Sequence, residues 1–185
     1  SMYFDGTGDW LSSPYSKNFA LSGDFTIEFW VNWSAHASYA VFCLKKKPSG
    51  ASPAGWGILF NGANNTVNLE VTGSYPLITS SNSLPQNTWA HVAVVRLGSS
   101  TNNIKMYFNG VQVGQGTNTS SLDSTNASLL IGVDRTSATT ITGYMDDVRI
   151  TNGLARYTAN FIPPSVALPD RKSTRLNSSH VALSR

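Results

Sequence analysis

FTIEFWVNW, residues 25–33, carries the strongest regular signal in the chain. Phe25, Ile27, Phe29, Val31 and Trp33 recur at every second position, with Thr26, Glu28, Trp30 and Asn32 between them. Successive side chains of a strand point to opposite faces. The period of two therefore predicts a half-buried β-strand with one apolar and one polar face. A helix would need apolar residues three and four apart, and no stretch sustains that pattern.

The same reading extends outward. WGILFNG (56–62) runs through GANN (62–65) into TVNLEVTG (66–73), where Val67, Leu69 and Val71 alternate with Asn68, Glu70 and Thr72. Turn residues between two such runs predict a hairpin. TWAHVAVVRL (88–97) and NIKMYFNGVQVGQG (103–116) form a second pair of runs. Asn109-Gly110 stands between apolar residues there, and both residue types accept the positive φ of a tight hairpin turn. SLLIGVD (128–134) and GYMDDVRIT (143–151) are the last strands of this kind, and GLARYTANF (153–161) is too rich in Thr and Asn for more than a helical turn. Ten to twelve short strands in one unit predict an all-β fold, a two-sheet antiparallel β-sandwich.

The chain has 185 residues, of which 41% are hydrophobic and only 12% charged, with a formal net charge of +3. One domain with a substantial core follows, and disorder is excluded. No apolar run approaches the ~20 residues of a membrane span, so membrane insertion is not expected. A lone Cys43 excludes an intrachain disulfide or a cysteine-based zinc cluster and reads as a small buried residue. The positive charge is concentrated in two places, Lys45-Lys46-Lys47 and the last fifteen residues. Without segments 39–47 and 170–185 there remain six bases against nine acids, a net of −3. That removes the compositional case for nucleic acid as a partner.

MYFDGTGDWLSSP (2–14), LSGDFTIEFWV (21–31), LPQNTWAHVAVVR (84–96), IKMYFNGVQVG (104–114), LLIGVD (129–134) and GYMDDVRITNG (143–153) occur in that order. As a set they resemble the laminin-G-like concanavalin A lectin/glucanase superfamily, which implies a jelly roll over residues 2–169. DDVRITNGLARYTANFIPP (146–164) further resembles versions found in tailed-phage structural proteins and modular surface proteins, which implies an extracellular or virion-associated setting. SYAVFCLKKK (38–47) and DRKSTRLNSSH (170–180) instead resemble translated sequencing-adapter DNA, so that residues 170–185 read as a non-native or disordered tail.

Catalysis is poorly served. Glucanases of the superfamily cluster two or three carboxylates on one strand. This chain has two glutamates, Glu28 and Glu70, in separate segments. Asp146 and Asp147 are adjacent, and neighbours on a regular strand point to opposite faces. No catalytic residue is assigned. The three histidines lack metal-ligand spacing, and His91, out of phase with Val92 and Val94, reads as a structural histidine bonded to backbone.

Calcium, as a structural ion, is the expected cofactor. Asp5 and Asp9 flank a glycine-rich turn and Asp146 and Asp147 lie on a late strand. The first and last strands of such jelly rolls lie side by side, so these four acids are the candidate ligands for a hard cation. Glycan or cell-surface polysaccharide is the expected partner, alongside neighbouring domains of a parent protein. Trp10, Tyr15, Trp56, Tyr75 and Tyr157 lie at or near polar loops, where an aromatic is harder to explain as core. Trp30, Trp33 and Trp89 sit within strands, which places at least two of them in the core. The expectation is a non-catalytic carbohydrate-binding or adhesion module, the alternatives being a structural phage tail or decoration domain, or a glucanase-like hydrolase.

Overall fold

The computed structural model describes residues 1–34, 39–46, 55–122, 127–134, 140–166 and 178–180. In chain order the strands are β1 (Met2–Asp5), β2 (Leu11–Ser13), β3 (Phe25–Trp33), β4 (Tyr39–Lys46), β5 (Gly55–Asn61), β6 (Thr66–Val71) and β7 (Ser74–Thr79). There follow β8 (Ala90–Arg96), β9 (Ile104–Phe108), β10 (Val111–Gly116), β11 (Leu129–Ile131), β12 (Thr142–Asn152) and β13 (Ser178–His180). One sheet runs β1-β12-β3-β8-β9-β10, with β13 also paired to β12; the other runs β2-β11-β4-β5-β6-β7. Every strand pair is antiparallel, and the two sheets form the predicted sandwich.

The apolar face of β3 lies at the centre of the first sheet. Phe25, Ile27, Phe29 and Val31 are fully buried, and Trp33 is nearly so. Across the sandwich they meet Phe42, Ile58, Phe60, Val67 and Leu69 in one core cluster. The Trp33 ring packs edge-on against Phe60 at 4.5 Å and Phe42 at 5.3 Å between centroids. Each such side chain contributes about 1.5–3 kcal/mol through removal from water. Asn109 and Gly110 take φ of 48° and 78°, as the hairpin turn between β9 and β10 requires.

Tyr39–Lys46 is no interruption of this plan. As β4 it pairs with β5 and β11 and sends Ala40, Phe42 and Cys43 into the core. Cys43 is fully buried, and burial pushes its thiol pKa up. Of the tail, Ser178–His180 pairs with Thr151–Arg149. The expected boundary at 169/170 lies outside the described residues. Among the described residues no helix is long and apolar enough to cross a membrane.

The second face of β3 departs from expectation. Thr26 and Glu28 are fully buried rather than solvated, because residues 153–164 fold back across the first sheet as a strap. Thr26 Oγ1 donates to Leu154 O at 3.0 Å and accepts from Arg156 N at 2.9 Å. Gln112 N donates to Asn160 Oδ1 at 3.0 Å, and Phe161 N donates to Gly110 O at 2.9 Å. The Phe161 carbonyl stands where a side chain on residue 110 would be, so glycine there serves both turn and strap. Tyr157 and Phe161 stack 3.6 Å apart, over Ala93, Val95 and Tyr107.

Candidate functional site

Cross-strand register lays the outer face of the first sheet out in rows. Glu28 of β3 lies opposite Arg149 of β12 and Ala93 of β8. The next row places Asp146 beside Trp30 and Trp30 beside His91. One further step brings Tyr3 of β1 opposite Tyr144, and Tyr144 opposite Asn32. Trp89, just before β8, closes that row, its ring centroid 6.5 Å from Tyr144.

The Glu28 row is sealed. Arg149 Nη2 lies 2.6 Å from Glu28 Oε1 and Arg149 Nε donates to the same oxygen at 2.7 Å. Tyr157 OH donates to Oε2 at 2.7 Å, and His91 Nε2 is 3.3 Å from that oxygen. Burial raises the pKa of Glu28, but the hydrogen bonds from His91 and Tyr157 and the Arg149 charge outweigh it and leave the carboxyl below its ordinary range. Burial and the bonded carboxylate push the Tyr157 phenol up. His91 thus meets a carboxylate through Nε2, not backbone as expected, while its buried Nδ1 has no hydrogen-bond partner among the described residues. A carboxylate fully buried, held by an arginine and roofed by the strap has the position of a lock, not of an acid that reaches substrate.

The aromatic row is open. Tyr3 is 52% exposed, Tyr144 44% and Trp89 41%. The Tyr3 and Tyr144 rings lie 4.9 Å apart. Beside them a groove of about 240 Å³ is lined by Trp30, Trp89, Asp146 and Asp147, by Pro164 at the end of the strap, and by Ser165 and Val166 after it. The acids share this groove because β12 carries a bulge. Trp30 faces Asp146 and Glu28 faces Arg149, so β12 spends one extra residue between them. Asp147 takes that place at φ 48°, which leaves Asp146 and Asp147 on the groove side and sends Val148 into the core. The expected opposition of the two acids is corrected by this bulge. Asp146 Oδ1 accepts from Asp147 N at 2.9 Å, and the Ser1 ammonium lies 3.2 Å from Asp146 Oδ2.

The residues singled out in the sequence do not converge. Trp56 is fully buried in the core rather than on a loop, and offers no face to a ligand. Trp10 and Tyr15 flank β2 at one edge of the second sheet; Tyr75 lies on β7 at the opposite edge. Lys45 sits 5.1 Å over the Tyr15 ring. Tyr157 serves the Glu28 lock. Conversely, of the three strand tryptophans only Trp33 is core; Trp30 is half-buried and Trp89 exposed. Parity was the available signal, since Trp30 falls out of phase with Phe29 and Val31, and Trp89 shares a face with His91. Trp56, by contrast, is in phase with Ile58 and Phe60.

The metal ligands do not assemble either. β1 does lie beside β12, but Asp5 pairs with Thr142 while Met2 pairs with Met145. Asp5 and Asp146 therefore stand at opposite ends of β1, ~13 Å apart at ~3.4 Å per residue. Asp5 N donates to Asp9 Oδ2 at 3.2 Å and Thr7 N to Asp5 Oδ1 at 2.6 Å, which spends these acids on their own turn. Among the described residues no group of three or more His, Cys, Asp or Glu is placed to hold a metal ion. The four acids do not fit one calcium site. The two glutamates are also apart, Glu28 in the first sheet and Glu70 in the second, where Tyr39 OH donates to Glu70 Oε1 at 2.9 Å.

Residues 5–156 match the family profile of laminin-G type described as the concanavalin A-like lectin/glucanases superfamily. No curated protein matches the chain. Among solved structures, a Bacteroides ovatus protein described as carbohydrate binding is 16% identical at a TM-score of 0.60, over 82% of this chain and 43% of that one. The chain thus spans less than half the length of that protein. The SAP-like pentraxin of Limulus polyphemus is 15% identical at a TM-score of 0.57, over 80% of this chain and 73% of that one. Domain 4 of an extracellular arabinanase from Geobacillus stearothermophilus, solved with arabinotriose, is 20% identical at a TM-score of 0.55, over 80% and 73%. At these identities the likeness shows the shared fold.

Proposed function

The chain belongs to the concanavalin A-like lectin/glucanase superfamily, and from that premise we propose that it is a non-catalytic carbohydrate-binding module of a larger extracellular or virion-borne protein. The observation that carries this reading is the open aromatic row, Tyr3–Tyr144–Trp89, beside a groove whose lining includes Trp30 and two carboxylates. Sugars present C–H surfaces that pack on aromatic rings and hydroxyls that donate to carboxylates. Both partners occur here on one rigid sheet, which limits the ordering cost of binding. Similar structures that carry carbohydrate in their descriptions support the reading at the level of fold. The sealed Glu28 and the distance between the glutamates argue against a hydrolase.

The test is calorimetric titration of wild type and Trp89→Ala with a panel of neutral trisaccharides: arabinotriose, cellotriose and laminaritriose. At least one is bound by wild type, and loss of the Trp89 ring weakens it at least tenfold, about 1.4 kcal/mol. Silence across the panel, with a stable oligomer on sizing, would favour a structural role. Release of reducing ends would establish a hydrolase.

A further inference from the structure

Resting on that reading, we infer that the site takes single, dispersed glycan chains and excludes the flat face of a crystalline polysaccharide. Two features of the outer face carry this. The first is the tilt of the rings. Tyr3, Tyr144 and Trp89 follow one register line, yet the planes of Tyr3 and Tyr144 meet at 46° and those of Tyr144 and Trp89 at 49°. A sugar stacks with its C–H face parallel to the ring. A rigid lattice laid flat on one of two neighbouring rings therefore meets the next at that angle and loses the stack. An isolated chain turns about its glycosidic bonds, so successive units follow rings that differ in plane. With centroids 4.9 and 6.5 Å apart, the rings are close enough to serve neighbouring units of one chain.

The second feature is the strap, which stands on the same face. It bonds to Thr26 of β3 through Leu154 and Arg156, to Glu28 through Tyr157, and to β10 and its turn through Asn160 and Phe161. It therefore crosses the strands, as the aromatic row does. Its Tyr157 and Phe161 rings form a layer of their own over Ala93, Val95 and Tyr107. Glu28, beneath the strap, is four residues from Asn32 of the aromatic row, ~14 Å at ~3.4 Å per residue. Pro164, Ser165 and Val166 take up part of that gap where they line the groove beside Trp30. On the other side β3 ends at Trp33, one residue beyond Asn32. The rings thus lie in a lane between the strap and the end of the sheet. A single chain fits along it, whereas a broad flat surface strikes the strap before it seats on the rings.

Retention on matched forms of one polymer separates the outcomes. Arabinan, cellulose and 1,3-β-glucan are each offered in swollen and in crystalline form at equal accessible surface, and protein left in the supernatant is measured. At least one swollen polymer retains at least ten times more protein than its crystalline form, and a soluble hexamer of the same sugar releases it. Trp89→Ala, its fold checked by its melting curve, loses at least tenfold affinity for that swollen polymer. Equal or greater retention by the crystalline form overturns the exclusion while leaving the function reading intact. Failure of the hexamer to release the protein, or trisaccharide binding with no retention on any swollen polymer, overturns the single-chain site in the same way. Retention unchanged in Trp89→Ala overturns the placement of the site on this row. Absence of binding by every trisaccharide and every polymer form overturns the function reading itself.

Discussion

Replacing Arg149 with methionine tests the energetic centre of the outer face. The change keeps most of the side-chain volume and removes the charge that lies 2.6 Å from fully buried Glu28. Removing one member of a buried ion pair costs about 3–5 kcal/mol, because the remaining charge stays desolvated. Tyr157 at 2.7 Å, His91 at 3.3 Å and the Arg156 guanidinium at 3.9 Å still face the carboxylate, which puts the expected loss near the lower end, about 3 kcal/mol. For a domain of this size each kcal/mol moves Tm by roughly 2–4 °C, so the melting point falls by about 6–12 °C. Urea unfolding followed by tryptophan fluorescence gives the free energy directly, with an unchanged m-value as the sign that the transition remains two-state. Glu28→Gln in the same chain recovers part of the loss, since no uncompensated charge is then buried. The pH dependence has a definite sign. Glu28 titrates below its ordinary 4.5 in the fold, so its contribution is present above that value and is lost as pH falls through the lower folded one. The gap between wild type and Arg149→Met is therefore widest near neutrality and narrows in acid. A loss under 1 kcal/mol at pH 7, or a gap that widens in acid, would refute the lock.

Three further outcomes follow from the same geometry. Gly110→Ala forces a side chain into the Phe161 carbonyl at φ 78°; it lowers stability by more than 1 kcal/mol and raises proteolysis within 153–164, whereas cleavage unchanged from wild type counts against the strap. Tyr157 is held protonated in the fold, so wild type loses stability as pH rises beyond the ordinary phenol value near 10; Tyr157→Phe is less stable at pH 7 and has a shallower alkaline limb, the part left coming from buried Tyr107 and Cys43. Asp5 and Asp146 stand at opposite ends of β1, so EDTA leaves Tm unchanged; a drop of several degrees would reveal a calcium site at one of those ends.

What could be read from sequence, and what could not, divides along the range of the interactions. The buried face of β3 and the Asn109-Gly110 turn are set by alternation and by local φ preference, and both stand as read. The strap is different. Tyr157 reaches Glu28 across 129 positions, and nothing in GLARYTANF announces which surface it covers. Its roofing is the reason that Thr26 and Glu28 are buried on a face whose residues are polar. The groove escaped for a related reason: one bulged residue at Asp147 reverses the parity of everything after it on β12. Proximity to a loop does not separate core Trp56 from surface Trp89, whereas strand parity does.

The most direct measurement of the central claim is an NMR titration of the five tryptophan indole N–H resonances with a bound neutral trisaccharide. Trp30 and Trp89 line the groove, Trp33 and Trp56 are core, and Trp10 is exposed on the loop before β2. Binding at the aromatic row shifts Trp89 and Trp30 with saturation and leaves Trp33, Trp56 and Trp10 in place. Saturable shifts at Trp10 with Trp89 unmoved would contradict the assignment of the site.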